Sequence, residues 1–375
     1  MEQWFSIHIY YYDEQKDRLI LDCVQPLFRS VQQRCASLFF VRHWAQGPHL
    51  RLRFLCSPDQ FAHDIRPLAE KEIQSYLKEH PSRTVLNEDQ LRPVYENLAR
   101  QEVERGPILP LLPDNSLHTF PYDRRLHVLK SSRLAGLLED FYCQTNDLTF
   151  EMLAYIHQGH SLLTLSLDLL YTTAHLFKSI PITDGYLSYR SHADAFIIGC
   201  AQPQAIRALF EQKYTAQAAA LTQRLPHLLD ALQQKIARFP FTLSWSQVMQ
   251  GFWERCFPLL QSGQIDGMPS LEGNDGTRPT FTGQAREHLT QSAFHLQLER
   301  NTEYRDALYA DTRFQCYRLM LNMLYLHLSR LGVRAIDRFM LCYIAANTVE
   351  EVFHVNAVAR FAGDIQQFMR TREGS

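Results

Sequence analysis

The chain has 375 residues, 46% of them apolar, and a formal net charge of −2. That is enough apolar material for a sizeable core, and the near-neutral balance gives no reason to expect nucleic acid or an anionic membrane as partner. No apolar run approaches the roughly 20 residues that span a bilayer, and the opening MEQWFSIHIYYYDEQKDR lacks the basic region and apolar core of a secretory signal, so a cytoplasmic protein is expected.

The residues from Trp4 to Tyr12 are aromatic and β-branched in character and predict a strand. From Asp17 to Arg34 apolar residues recur at helical spacing, with a kink expected at Pro26. Ser37 to Trp44 is a second strand, Ala45-Gln46-Gly47-Pro48 a turn, and His49 to Cys56 a third strand. Asp59 to Lys78 is a second helix, residues 86–104 an inserted helix, and a last strand lies near Ser116 to Tyr122. The order β-α-β-β-α-β predicts an α+β fold, with residues 1–125 forming a ferredoxin-like part that packs its helices on one face of an antiparallel sheet. Residues 126–375 form a mainly helical part. Arg133 to Cys143, Phe150 to Lys178, Ala205 to Arg238, Ala285 to Leu298, Thr312 to Leu331 and Ala335 to Val355 carry its apolar faces. Ser262 to Gln284, rich in Gly, Pro, Asp and Ser, interrupts the pattern and reads as a flexible loop near a cleft.

Eight cysteines are scattered without a CxxC, and sixteen histidines without an HExxH. Buried thiols in a reducing compartment and no metal site are expected. The chain has no Gly-rich phosphate loop, dinucleotide fingerprint or GxSxG elbow, so no cofactor is expected and the common kinase, Rossmann and hydrolase chemistries have no residues to stand on.

The strand Pro48-His49-Leu50-Arg51-Leu52-Arg53-Phe54 alternates strictly. Leu50, Leu52 and Phe54 face the core, and His49, Arg51 and Arg53 share the other face within about 14 Å. Such a row suits carboxylates or a developing oxyanion on a peptide, or else is a salt-bridged, solvated sheet face.

The segment FFVRHWAQGPHLRLRF resembles the start of the elimination domain of lantibiotic dehydratases and thiopeptide-type bacteriocin biosynthesis proteins, which also open on a Trp-containing strand, as with Trp4 here. Two further stretches are similar to family motifs in degraded form. Pro113-Asp114-Asn115-Ser116 and Pro121 to Val128 stand where the family has Pro-Asn-Asn-Ser/Thr and a run ending Arg-Tyr-Gly-Gly. Leu321 to Val333 stands where the family has a helix reading Ser-Leu-x-His-Met-x-x-Asn-Arg-Leu-Gly. In family members that eliminate glutamate, that His and the Arg of the Arg-Tyr-Gly-Gly run belong to the eliminating machinery. Here Tyr325 replaces the His, Ser329 replaces the Asn, and Val128 stands near the missing Arg. A phenol of reference pKa about 10 is a poor base at neutral pH but a good donor to a carbonyl.

The resemblance implies a tailoring enzyme for ribosomally made peptides, most like the thiopeptide pyridine synthases. These join two dehydroalanines of one modified precursor in a formal [4+2] cycloaddition, with loss of water and of the leader peptide. It also implies the catalytic residues Tyr325, His49 and Arg53, with Tyr325 as donor and His49 or His327 as proton shuttle. His327 ranks lower because it lies about 200° around the helix from Tyr325. Substrate-binding roles are expected for Arg42, Arg51, Tyr122, Ser329, Arg330 and His327. The expected partners are a modified precursor peptide with its leader and other enzymes of the same pathway, with a homodimer left open. Two alternatives stay open: a glutamate eliminase making dehydroalanine or dehydrobutyrine, which Arg51 and Arg53 would serve, and a non-catalytic leader-binding scaffold.

Overall fold

Alternation of apolar and polar side chains over residues 5–9 and 49–54 gives the sheet one apolar face. The computed structural model describes residues 1–266 and 292–373, and these fall into two compact units. The first comprises Met1–His160 with Leu326–Gly332, and the second Ser161–Tyr325 with Val333–Ser375.

In the first unit, strands β1 (Gln3–Tyr10), β2 (Ser37–His43), β3 (His49–Cys56) and β4 (Ser116–Pro121) form one sheet in the order β2-β3-β1-β4, every pair antiparallel. Ile7 pairs with Leu52 and Ile9 with Leu50, so the core face is one continuous aliphatic row, fully buried. Helix α1 (residues 19–31) lays Phe28 against Phe40 and Phe54 on that face. Around the expected kink at Pro26 the helix departs from regular α geometry: wider i→i+5 turns over Leu19–Val24 lead into Gln25–Val31. Helix α2 (residues 58–79) repeats the device, with wide turns over Phe61–Ile65 ahead of Pro67. It begins on a reciprocal cap in which Ser57 Oγ accepts from Gln60 N and Gln60 Oε1 accepts from Ser57 N. The inserted helix α3 (Glu88–Glu102) starts on Asn87, whose side chain accepts from Gln90 N.

The first compact unit runs past residue 125, to His160. Helices α4 (Ser132–Gln144) and α5 (Asn146–His157) belong to the sheet-bearing unit, because Tyr142 stacks on Phe39 at 5.0 Å and Phe150 on Phe40 at 5.5 Å. The long helix expected from Phe150 to Lys178 is two helices. Gly159, with φ +96°, lies in the break, and such a backbone conformation strains any other residue.

The second unit is helical among its described residues: α6 (Leu162–His175), α7 (Ile182–Gly199), α8 (Pro203–Thr215), α9 (Ala218–Gln234), α10 (Thr242–Gln261), α11 (Ala293–Arg300), α12 (Thr302–Ala310), α13 (Thr312–Arg330, of which residues 312–325 belong here), α14 (Ala335–Phe353) and α15 (Ala357–Glu373). Helix α14 packs along α7. The buried Trp245 donates to Thr173 Oγ1 at 2.9 Å. Gly185 admits Tyr317, whose hydroxyl donates to the Gly185 carbonyl at 3.0 Å; a Cβ at Gly185 would lie 2.7 Å from that hydroxyl. Of the expected loop, residues 267–284 lie outside the described residues. Among the described residues no helix is long and apolar enough to cross a membrane.

Candidate functional site

Two groups of polar side chains stand out, one in each unit. In the first unit the register places Ser6 opposite Arg53, His8 opposite Arg51 and Tyr10 opposite His49, with His43 opposite His49 on the outer side and His118 opposite His8. The face opposite the aliphatic core therefore carries two guanidiniums and four imidazoles. The strand spacing had placed His49, Arg51 and Arg53 together, and they are together. The face is covered, however, and not solvated: His49 is fully buried and Arg53 only 4% exposed.

Burial sets the chemistry of this face. His8 stacks on His49 with ring centroids 5.0 Å apart, and Tyr10 stacks on the same ring at 4.4 Å. His49 Nδ1 lies 2.8 Å from the Gly47 carbonyl, so it carries the hydrogen, and Nε2 accepts from Arg51 Nε at 2.9 Å. Burial, with Arg51 beside it, holds His49 neutral. In this arrangement its lone pair is occupied, so a shuttle role for His49 requires Arg51 to let go. His43 accepts from the Ala45 N–H at Nδ1 and turns Nε2 toward Glu104 at 3.6 Å. Burial holds its pKa at about 3, while the facing imidazole lowers Glu104 to about 2. The contact is thus a neutral imidazole facing a carboxylate.

Burial lowers Arg51 to about 10 and Arg53 to about 9, leaving both cationic at neutral pH. Arg53 donates to Ser6 Oγ and lies over the Tyr122 ring at 4.7 Å. The Tyr122 hydroxyl donates to Glu139 at 2.9 Å, so this ring props up Arg53. Neither Arg51 nor Arg53 has a carboxylate within ion-pair distance among the described residues, and Arg53 Nε and both ring nitrogens of His8 are buried without a described partner. Such a face offers donors to an anion or a carbonyl oxygen. His8 was not among the expected site residues; the alternation of Ser6, His8 and Tyr10 with Ile7 and Ile9 is the signal that places it on this face.

Arg330, Arg42 and His327, expected at the substrate, have contacts within the first unit. Arg330 is 1% exposed and lies over the Phe40 ring at 4.6 Å. It donates to the Tyr142 carbonyl at 3.1 Å, to Thr145 Oγ1 at 2.9 Å and to Asn146 Oδ1. Arg42 donates to the Arg330 carbonyl at 2.9 Å, satisfying a helix-end acceptor, and pairs with Asp17 at 2.8 Å. His327 is fully buried, its Nε2 3.1 Å from Met152 Sδ, and burial holds it neutral. It belongs to the first unit and Tyr325 to the second, and Ser329 is half-buried in the first.

In the second unit Tyr325, 8% exposed, has its hydroxyl 2.7 Å from His192 Nδ1 and 3.4 Å from Cys342 Sγ. Arg338 lies over its ring at 5.2 Å. Burial raises the Tyr325 pKa well above 10, and burial together with Arg338 and Arg318 lowers His192 to about 3. The pair is thus a phenol against a neutral imidazole. When His192 Nδ1 carries its hydrogen and donates, the phenolic hydroxyl keeps its own hydrogen to donate. No spacing in the sequence points to His192. His295 follows nearby, its ring nitrogens 3.0 Å from Ser292 Oγ and 3.2 Å from Ser191 Oγ. Among the described residues no three His, Cys, Asp or Glu side chains converge to hold a metal.

A family model described as the C-terminal part of lantibiotic biosynthesis dehydratases matches residues 4–349. The structure of TbtD, a pyridine synthase from thiomuracin biosynthesis, is 27% identical with a TM-score of 0.76, over 95% of this chain and 100% of that one. The crystal structure of TsrL shares the fold at 21% identity, with a TM-score of 0.70 over 96% and 98%. No curated protein sequence matches the chain.

Proposed function

Because the chain belongs to the family of the C-terminal part of lantibiotic biosynthesis dehydratases, we propose that it is a tailoring enzyme for ribosomally made peptides, acting as a pyridine synthase. In this reading it joins two dehydroalanines of one modified precursor in a formal [4+2] cycloaddition. Water and the leader peptide then leave as the ring aromatises. The ferredoxin-like reading of the β-α-β-β-α-β segment belongs to the same proposal. Likeness to a pyridine synthase over nearly the whole of both chains supports it.

The observation that carries the reading is the Tyr325–His192 pair. Where the resemblance puts an eliminating imidazole, this chain has a phenol that stays protonated, with a neutral imidazole 2.7 Å away. A phenol cannot take an α-proton at neutral pH, but it donates well to an amide carbonyl. Donation favours the iminol tautomer, which makes one dehydroalanine a 2-azadiene. The remaining task is to hold two alkenes together, worth about 7–11 kcal/mol in favourable cases. Arg51 and Arg53, without carboxylate partners among the described residues, would supply donors to the peptide.

The same two arginines favour a second reading, glutamate elimination to dehydroalanine, in which they would hold the departing carboxylate. Mass spectrometry separates the two. A dehydrated, azole-bearing precursor incubated with the protein should lose water and its leader with no other change. Release of glutamate from a glutamylated precursor would establish the second reading and sink the first.

A further inference from the structure

The second unit contains five half-buried arginines among its described residues, and they divide cleanly. Arg190 pairs with Glu350 at 2.7 Å, Arg224 with Asp168 at 2.6 Å, and Arg305 with Asp306 at 3.3 Å. Arg318 and Arg338 have no carboxylate within ion-pair distance among the described residues. Arg338 Nε is also buried without a hydrogen-bond partner. A partly desolvated guanidinium without a carboxylate keeps N–H donors available to an anion.

Their placement is specific. Arg338 lies over the rings of Tyr325 and Phe339, at 5.2 Å and 5.0 Å, while Arg318 lies over Tyr309 at 5.3 Å. Aromatic rings below a guanidinium leave its in-plane N–H fork for a ligand, and a carboxylate matches that fork with two parallel bonds. Arg318 stands seven residues before Tyr325 on α13, two turns along the same helix face, and Arg338 lies over the Tyr325 ring; both cations contribute to holding His192 neutral. The local charge is therefore positive and unshared, beside the hydroxyl of Tyr325.

We propose that Arg338 and Arg318 form a carboxylate-binding site beside Tyr325 that anchors an acidic group of the peptide substrate. The inference rests on the peptide-substrate reading above and extends it by naming what the peptide must carry. The carboxylate has two sources, an Asp or Glu side chain of the leader or the C-terminus of the peptide, and both present the same ligand.

The test is equilibrium binding of a precursor peptide bearing two dehydroalanines to the whole protein, with product followed in parallel by mass spectrometry. Three peptides are compared: unmodified, C-terminally amidated, and with leader Asp and Glu replaced by Asn and Gln. Arg338→Gln and Arg318→Gln should each weaken binding of the unmodified peptide by about ten- to a hundredfold, the worth of a charged hydrogen bond. Arg338→Lys should keep part of that affinity, with thermal melts confirming that all three variants fold. One neutralised peptide should bind the wild type as weakly as the unmodified peptide binds the variants, and lose nothing further in them. That peptide identifies the source of the carboxylate. Equal losses for all three peptides, no loss in either variant, or a wild type that binds none of them would each overturn the proposal. A wild type that binds as described and forms no pyridine leaves the carboxylate site standing and removes the pyridine-synthase reading instead.

Discussion

The hydroxyl of Tyr325 and Nδ1 of His192 lie 2.7 Å apart, on helices whose contacting residues are 133 positions apart in the chain. The pair joins a phenol that resists ionisation to an imidazole that resists protonation. Neither acts as a strong base or a strong acid at neutral pH. Together they orient one hydrogen, which is what polarising a carbonyl requires.

Removing that hydroxyl should therefore harm the rate and spare the fold. Tyr325→Phe is expected to lower turnover of a dehydrated precursor by about 10²–10⁴-fold, the usual worth of a positioned donor. Peptide affinity should change little, since the lost bond is made mainly in the transition state. Steady-state kinetics with a thermal melt decide it: unchanged turnover with a lowered melting temperature would make Tyr325 a packing residue.

His192 is expected to act as a donor to Tyr325 rather than as a base. His192→Asn, which keeps an N–H, should retain more turnover than His192→Ala, and the ordering is read from initial rates. With its pKa near 3, His192 should add no acid limb to the rate profile between pH 5 and 8. A limb in that range that vanishes in His192→Asn would show that it titrates.

Stability should fall as the solution is acidified. His8, His43, His49, His192 and His327 are all held below the imidazole range, chiefly by burial. Between their folded values and about 6.5 the unfolded chain binds protons that the folded chain does not, so stability rises with pH and is fully present above 6.5. Each such group adds a slope of about 1.4 kcal/mol per pH unit at pH 5. Denaturant titrations at pH 5 and pH 7.5 check this, and His43→Gln should flatten the dependence.

Arg330 is expected to be a stability residue. Arg330→Met keeps its stem but strands Asn146 Oδ1, Thr145 Oγ1 and the Tyr142 carbonyl, and should cost about 2–4 kcal/mol. The readout is the melting temperature, with peptide affinity unchanged at a permissive temperature. Weaker peptide binding without a lower melting temperature would return Arg330 to the substrate.

Arg51→Lys and Arg53→Lys are expected to lower kcat/KM by about tenfold or more, because an ammonium cannot reproduce the guanidinium fork. Arg51→Lys should also release His49 Nε2, since Arg51 Nε is its donor at 2.9 Å. The imidazole pKa measured by NMR should then move upward, an effect that Arg53→Lys should not share.

Much of the fold was legible locally. Aromatic and β-branched character marked the first strand, alternation in Leu50-Arg51-Leu52-Arg53 specified the third and its buried face, and helical spacing specified α13 and α14, because periodicity reports how neighbouring residues meet one surface. The shared face of His49, Arg51 and Arg53 followed from the same rule, as did the family, from motifs of contiguous residues. What covers that face did not follow: spacing alone left it open to solvent, and His49 and Arg53 turned out to be buried. Helix α13 shows the limit most plainly. Its sequence singled out Tyr325, His327, Ser329 and Arg330 alike. Tertiary packing set Tyr325 against His192, buried His327 against Met152, and enclosed Arg330 between Phe40 and Asn146. Partners 133 to 290 residues away leave no trace in local spacing. Whether a side chain is a reactant or a rivet depends on them, since burial and hydrogen bonding set both its charge and its freedom to meet a ligand.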